Sequence, residues 1–251
     1  LIVTPHTTHV EIARQMVAAG KHILLDKPAG IDAGEVADLV RQADEAGLTF
    51  GMIFNNRTNP AFQKAKELLD QGVIGQPVRG IWVCNTWYRT PCYHHSAPWR
   101  SSWAGERGGL LINQCQHYLD LWVWLLGLPD AILASLEYGR YNDFAVDDAA
   151  DLQFFYDNGL HGTFISSSGE TPGVNRLEIW GPRGRLCVED TARVTLNLNE
   201  MSTEEFAVAN QIPFAPLPHH LEEVPITPNP EPYQTVLRRF ADHLRNGTPM
   251  V

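Results

Sequence analysis

The sequence predicts an α/β region over residues 1–57, followed by a larger α+β region over residues 58–251. Three observations predict it. Strand and helix signals alternate from Ile2 to Phe54. After Arg57 strand-like segments dominate, separated in two places by the hairpin-type turns Asp157-Asn158-Gly159 and Pro182-Arg183-Gly184. One helical segment, about Gly108 to Leu126, is apolar around most of its surface, as in a helix buried on nearly all sides.

Each element follows from local signals. Ile2-Val3 reads as a strand end. Thr7 or Thr8 caps a helix to about Ala19, with Gly20 at its C-terminal end. The apolar run His22 to Leu25 is a buried parallel strand. Val36, Leu39, Val40 and Ala43 recur at helical spacing in a helix from about Asp32 to Ala46, closed by Gly47. Thr49 to Phe54 completes β-α-β-α-β, which implies a parallel sheet. A helix from Pro60 to Gln71 opens the second region. Strands are expected at Val78 to Tyr88, Ala131 to Gly139, Asp148 to Tyr156, Leu160 to Ser167, Val174 to Trp180 and Arg185 to Leu198. They form a mostly antiparallel, open sheet. Residues 211–232 are Pro-rich and read as an extended loop. An amphipathic helix covers Tyr233 to Arg245.

Composition removes several function classes. Hydrophobic residues make up 44% and charged residues 19% of the 251, a globular balance. No run approaches the ~18 apolar residues of a membrane span. The formal net charge of -10 argues against nucleic acid as a partner, because phosphate contacts need clustered Lys and Arg. Cys84, Cys92, Cys115 and Cys187 are scattered without metal spacing, which suits free thiols in a reducing cytoplasm. The adjacent pairs His94-His95 and His219-His220 point in different directions on any regular element, so no metal site is expected.

Two features carry chemistry. Asp26-Lys27-Pro28 follows the buried strand, and the carboxyl ends of parallel strands are where open α/β sheets bind ligands. On a continuous helix, Asn113, Gln116, His117 and Asp120 share one polar stripe roughly 100° wide. Buried polar side chains must find partners or line a wet cleft. The stripe is therefore a satisfied core network or an active-site wall. With i,i+4 and i,i+3 spacing, Asn113, His117 and Asp120 are expected to meet.

The segments Thr4-Pro5-His6-Thr7-Thr8-His9, Asp26-Lys27-Pro28, Asn55-Asn56-Arg57, Trp99-Arg100, Gly108 to His117 and Asp120 occur in the order and spacing of the glucose-fructose oxidoreductase / inositol dehydrogenase / rhizopine catabolism family, Gfo/Idh/MocA. The chain resembles that family over nearly its whole length. The resemblance implies the C-terminal half of a Rossmann parallel sheet for NAD or NADP, then a substrate and oligomerisation domain with an open sheet. It implies catalytic roles for Lys27, His117 and Asn113. Thr4, Pro5, His6, His9, Asp26, Lys27, Pro28, Asn55, Arg57, Trp99 and Arg100 would face the cofactor. Lys27, Tyr88, Tyr93, Arg100, Gln116, His117 and Asp120 would face a sugar or glycoside. Trp99-Arg100 followed by Asn-Gln-x-x-His is similar to members acting at the C3 hydroxyl of pyranosides.

The chain departs from the family pattern in three ways. It contains no glycine-rich pyrophosphate turn, and at about 30 residues per βαβ unit roughly 60 to 70 family residues would precede Leu1. The chain is thus expected to be an internal piece that alone binds NAD weakly. The family's last helix, after Asn246-Gly247-Thr248-Pro249, is also expected to lie beyond it. Finally, Asn113 stands where many members carry Asp, and Asp26 where a few carry Glu.

The expected reaction is hydride transfer between nicotinamide and a sugar, glycoside or cyclitol hydroxyl. His117 is the favoured base, at an ordinary value of about 6.5, with Lys27 orienting the hydroxyl; the reverse assignment stays open. The alternatives are an NAD-dependent glycosidase using transient oxidation, and a non-catalytic binding or assembly protein. The open sheet implies a homodimer or homotetramer.

Overall fold

The computed structural model describes residues 1–250. Its first sheet is parallel. Ile2 bridges Leu25, and β1 (Ile23–Asp26) pairs with β2 (Phe50–Ile53) from Ile23 opposite Phe50 to Asp26 opposite Ile53. α1 (His9–Ala18), entered through a 3₁₀ turn at His6–Thr8, connects Ile2 to β1, and α2 (Ala33–Glu45) connects β1 to β2. Asp32 caps α2 by accepting the Glu35 N–H at 2.9 Å. Val10 and Ala13 of α1 and Leu39 of α2 pack on Ile2, Ile23 and Leu25, so the spaced apolar residues form one core face.

The second sheet has eight strands: β3 (Arg79–Cys84), β4 (Ala131–Tyr138), β5 (Asp147–Phe155), β6 (His161–Ser167), β7 (Asn175–Gly181), β8 (Gly184–Glu189), β9 (Arg193–Asn199) and β10 (His219–Val224). Their order is β10-β9-β8-β7-β3-β6-β5-β4. Only β3 and β6 pair in parallel.

Two helices cover one face: α3 (Pro60–Asp70) and α6 (Gln116–Leu126). Short α4 (Pro91–His94) and α5 (Leu110–Asn113) precede α6. The core beneath is aromatic. Phe62, Tyr118 and Phe164 surround Trp82 with ring centroids 5.1–6.1 Å away. Trp122 lies over Gly80 and Gly162, where a Cβ would come within 2.8 Å and 2.3 Å of its ring. Side-chain-free positions on β3 and β6 let α6 settle directly onto the sheet. The opposite face is open, with Leu133 of β4 62% and Phe155 of β5 36% exposed.

Three elements differ from the sequence expectation. The helix expected over Gly108 to Leu126 is interrupted. The N–H groups of Gln114 and Cys115 both bond the Leu110 carbonyl, and the chain restarts at Gln116. This wide turn breaks the single polar stripe, so Asn113 and His117 do not share a helix face. Arg185 to Leu198 is a hairpin, β8 and β9, turning at Asp190 and Thr191 with φ of 48° and 58°. Non-glycine residues seldom adopt that region, so the turn left no glycine signature. Within the Pro-rich stretch His219–Val224 pairs with β9 as β10, and α7 (Thr203–Ala209) precedes it behind a Ser202/Glu205 capping box.

The final helix, α8 (Pro232–Asn246), returns to the parallel sheet. Phe240 lies 3.0 Å from where a Cβ on Gly51 would stand. Asn229 Nδ2 and the Pro232 carbonyl reach Thr58, tying that return to the end of the first region.

Candidate active site

The carboxyl end of β1 faces the interrupted helix. Lys27 Nζ donates to the backbone carbonyl of Asn113 at 2.7 Å. A continuous helix would offer that carbonyl to the His117 N–H; the wide turn at Gln114–Cys115 frees it for the lysine. Such helix interruptions recur at functional sites. Asn113 itself does not orient His117 through its amide. Its Nδ2 donates to Glu106 Oε1 at 2.6 Å.

His117, one residue into α6, packs edge-on against Phe54 at 6.0 Å. Its Nδ1 is buried without a hydrogen-bond partner in the protein. Burial, then the nearby Lys27 charge, pushes the ring down to about 4, well below the ordinary value expected from sequence. Lys27 is half-buried and also lowered, burial being the main cause and Arg100 adding to it, while Asp26 and Glu106 oppose. Both shifts favour the neutral form, and His117 is neutral at neutral pH.

Thr4, Pro5, His6 and His9 form the rim beside Lys27. His9 is fully buried, with Nδ1 2.6 Å from the Pro28 carbonyl and Nε2 2.7 Å from the Thr4 carbonyl. It ties the strand-end loop to the Lys27-Pro28 step. Thr4 Oγ1 accepts from Thr8 Oγ1 at 2.8 Å, and Pro5 precedes the 3₁₀ turn. His6 lies 6.2 Å from Trp99, and its Nδ1 is a second buried atom without a partner. Burial, then the charges of Lys27, His9 and Arg100, pushes it down to about 4. Asp26 Oδ1 accepts the Lys27 N–H at 2.9 Å.

On the loop from α4 to α5, the Arg100 guanidinium lies over Tyr93 and Trp99 at 4.4 Å and 4.6 Å, and it donates to the Tyr93 hydroxyl at 2.8 Å. Tyr88 and Trp99 are exposed. Arg57 and Asp120, expected at cofactor and substrate respectively, are paired with each other. Their two contacts, Nε–Oδ2 and Nη2–Oδ1, measure 2.7 Å and 2.6 Å. The Arg57 guanidinium is further flanked by Phe54 and Trp124.

Sequence reasoning missed Glu106. It is 1% exposed and binds both the Asn113 amide and the Ser101 N–H. Its one sequence signal is an acid just ahead of Gly108-Gly109, where the chain must approach its neighbours closely. A Cβ on Gly109 would stand 2.0 Å from the Asp147 carbonyl oxygen. Asp147 anchors the same turn through the Gly109 and Leu111 N–H groups.

Residues 1–54 match the family profile described as "Oxidoreductase family, NAD-binding Rossmann fold", and residues 62–187 match "GFO/IDH/MocA C-terminal domain". The chain belongs to the Gfo/Idh/MocA oxidoreductase family. It is 30% identical over 186 residues to trans-1,2-dihydrobenzene-1,2-diol dehydrogenase of Mus musculus, covering 73% of this chain and 52% of that protein. It is 24% identical over 208 residues to myo-inositol 2-dehydrogenase of Thermotoga maritima, covering 80% and 59%. It thus spans between half and three-fifths of these relatives. Its fold matches the WlbA dehydrogenase of Bordetella pertussis, solved with NADH and UDP-GlcNAcA, at a TM-score of 0.77 and 22% identity, over 100% of this chain and 69% of that one.

For this Gfo/Idh/MocA chain the donor set fits a dinucleotide and a polyol. Besides His6 and His117, Asn55 Oδ1 and Gln116 Oε1 are buried polar atoms without partners. These four belong to residues expected at cofactor or substrate; Trp87, His94, Ser167 and Asn197 carry the other such atoms among the described residues. Such atoms carry a desolvation cost that a polar ligand relieves. Among the described residues, no cluster of three His, Cys, Asp or Glu could hold a metal, and no helix is long and apolar enough to cross a membrane.

Proposed function

We propose that the protein containing this chain transfers hydride between NAD(P) and a hydroxyl or carbonyl of a sugar, glycoside or cyclitol, with the C3 position of a pyranoside favoured. One observation carries the reading. Lys27 at the end of β1 and the partnerless ring of His117 converge where the helix opens, so a donor and an acceptor of protons share one half-buried place. The nicotinamide supplies the hydride chemistry when bound.

The chain's residues do the rest. Lys27 Nζ, steadied by the Asn113 carbonyl, keeps further N–H groups to orient the substrate hydroxyl. His117, pushed down by burial, is neutral at physiological pH and accepts its proton. Arg100, Trp99 and Tyr93 present a cationic, aromatic wall for a ring face. Asp26 and the Thr4-to-His9 rim stand on the cofactor side, and the exposed face of the open sheet that carries Leu133 and Phe155 joins a second copy.

In the full-length protein, Lys27→Ala and His117→Ala are each expected to lower turnover by ~10² or more. The assay is NAD(P)H formation with myo-inositol, D-glucose and methyl pyranosides as probes. Near-wild-type turnover in either variant removes that residue from the mechanism. Sedimentation showing only monomer at micromolar concentration would count against the sheet-face assembly.

A further inference from the structure

Glu106 is a buried acid that the proposed chemistry does not itself use. Both its oxygens are engaged. Oε1 accepts from Asn113 Nδ2 at 2.6 Å and lies 3.9 Å from Arg100 Nη1, while Oε2 accepts the Ser101 N–H at 2.7 Å. Ser101 and Arg107, on either side of it, hold φ of 51° and 63°. Non-glycine residues stay in that region only when surrounding contacts hold them. Ser101 is further held by His94 Nδ1 at 2.7 Å from its hydroxyl.

One carboxylate therefore links the loop carrying Trp99 and Arg100 to the turn whose carbonyl holds Lys27. We infer that Glu106 is a positioning residue, which fixes the Asn113 turn and supplies the buried negative charge balancing Lys27 and Arg100. The inference rests on Lys27 being part of the reacting site, as proposed above. The charge balance is visible in both partners. Burial raises Glu106, against the Ser101 N–H, Arg100 and Lys27; Asp26 and Glu106 hold Lys27 up against burial and Arg100.

Two substitutions separate charge from shape. Glu106→Gln removes the charge and keeps the volume. Glu106→Gln combined with Asn113→Asp returns the charge to the other end of the same hydrogen bond. In the full-length protein Glu106→Gln is expected to lower kcat ~10- to 100-fold with little change in KM for NAD+ or sugar. The double variant recovers most of that loss.

A readout independent of turnover is the Lys27 titration, followed by carbon NMR at its ε-methylene. Asp26, Glu106 and Arg100 act on it directly, and His6 and His117, both neutral near pH 7, add no charge there. Glu106→Gln should move the Lys27 titration down, and the double variant should move it back. A lower melting temperature with unchanged Lys27 titration and kcat makes Glu106 a structural residue and overturns the inference. If Glu106→Gln does not fold, the double variant decides. Restored folding with near-wild-type kcat supports the positioning role, whereas an inactive or unfolded double variant overturns it. Loss of activity in Lys27→Ala with none in Glu106→Gln sinks this inference alone; retained activity in Lys27→Ala sinks the proposed function and this inference with it.

Discussion

Two seams join the end of the parallel sheet to the helices of the second region, and they are built in opposite ways. At the Arg57–Asp120 seam donors and acceptors match. The guanidinium fork meets both carboxylate oxygens and lies against Phe54 and Trp124. At the Lys27 seam only one arm is tied, to the Asn113 carbonyl, and the neighbouring His6 and His117 keep buried nitrogens without partners. A saturated seam holds two bodies together. An unsaturated one stores unmet hydrogen-bonding capacity for a ligand, and it loses stability by doing so.

The largest effect should come from breaking the closed seam. Arg57→Ala leaves the Asp120 carboxylate, 11% exposed, without its cation. It is expected to destabilise the protein by about 3 kcal/mol in urea unfolding. An unchanged urea midpoint would show that the pair is a solvated contact.

The open seam should respond to pH. His6 and His117 sit at about 4, below the ordinary histidine value, so between about 6.5 and 4 the unfolded chain binds more protons than the folded one. Stability contributed by their neutral burial is complete above about 6.5 and falls as pH drops toward 4. Replacing His117 with Phe should flatten that decline; an identical pH dependence in the variant would mean that His117 is solvated.

The smallest effect separates geometry from charge at the closed seam. Arg57→Lys keeps the cation but loses the two-pronged contact, an expected loss of about 1 kcal/mol in the same unfolding assay. A loss as large as that in Arg57→Ala would mean that the fork alone matters.

The contrast between the seams was only half legible in the sequence. The β-α-β-α-β start was legible because apolar periodicity and end caps act within a few residues. Asp32 and the run through Ala43 behave as their spacing demands. The position of Lys27 just past the end of a buried strand was legible for the same reason. What periodicity could not show was pairing across long separations. Arg57 and Asp120 are 63 positions apart, and nothing local places them together. The broken helix was hidden because Leu110 to Leu126 contains neither Gly nor Pro to mark a break. The competing bond from Lys27 comes from 86 residues away. Glu106 was overlooked because a lone acid in a loop ordinarily faces water. The capping box at Ser202 and Glu205, by contrast, is a signal local to the sequence and sets the start of α7.

Trp122 has a further consequence. It sits five positions after His117 on the same helix, wedged over the bare backbones of Gly80 and Gly162. The indole is a shim of fixed thickness between helix and sheet, held at its edge by the Tyr156 hydroxyl at 2.7 Å. The same helix carries His117, so a side chain at position 80 or 162 would have to displace the indole and with it α6. The seating of that helix is thus set by two residues that contribute no side chain at all.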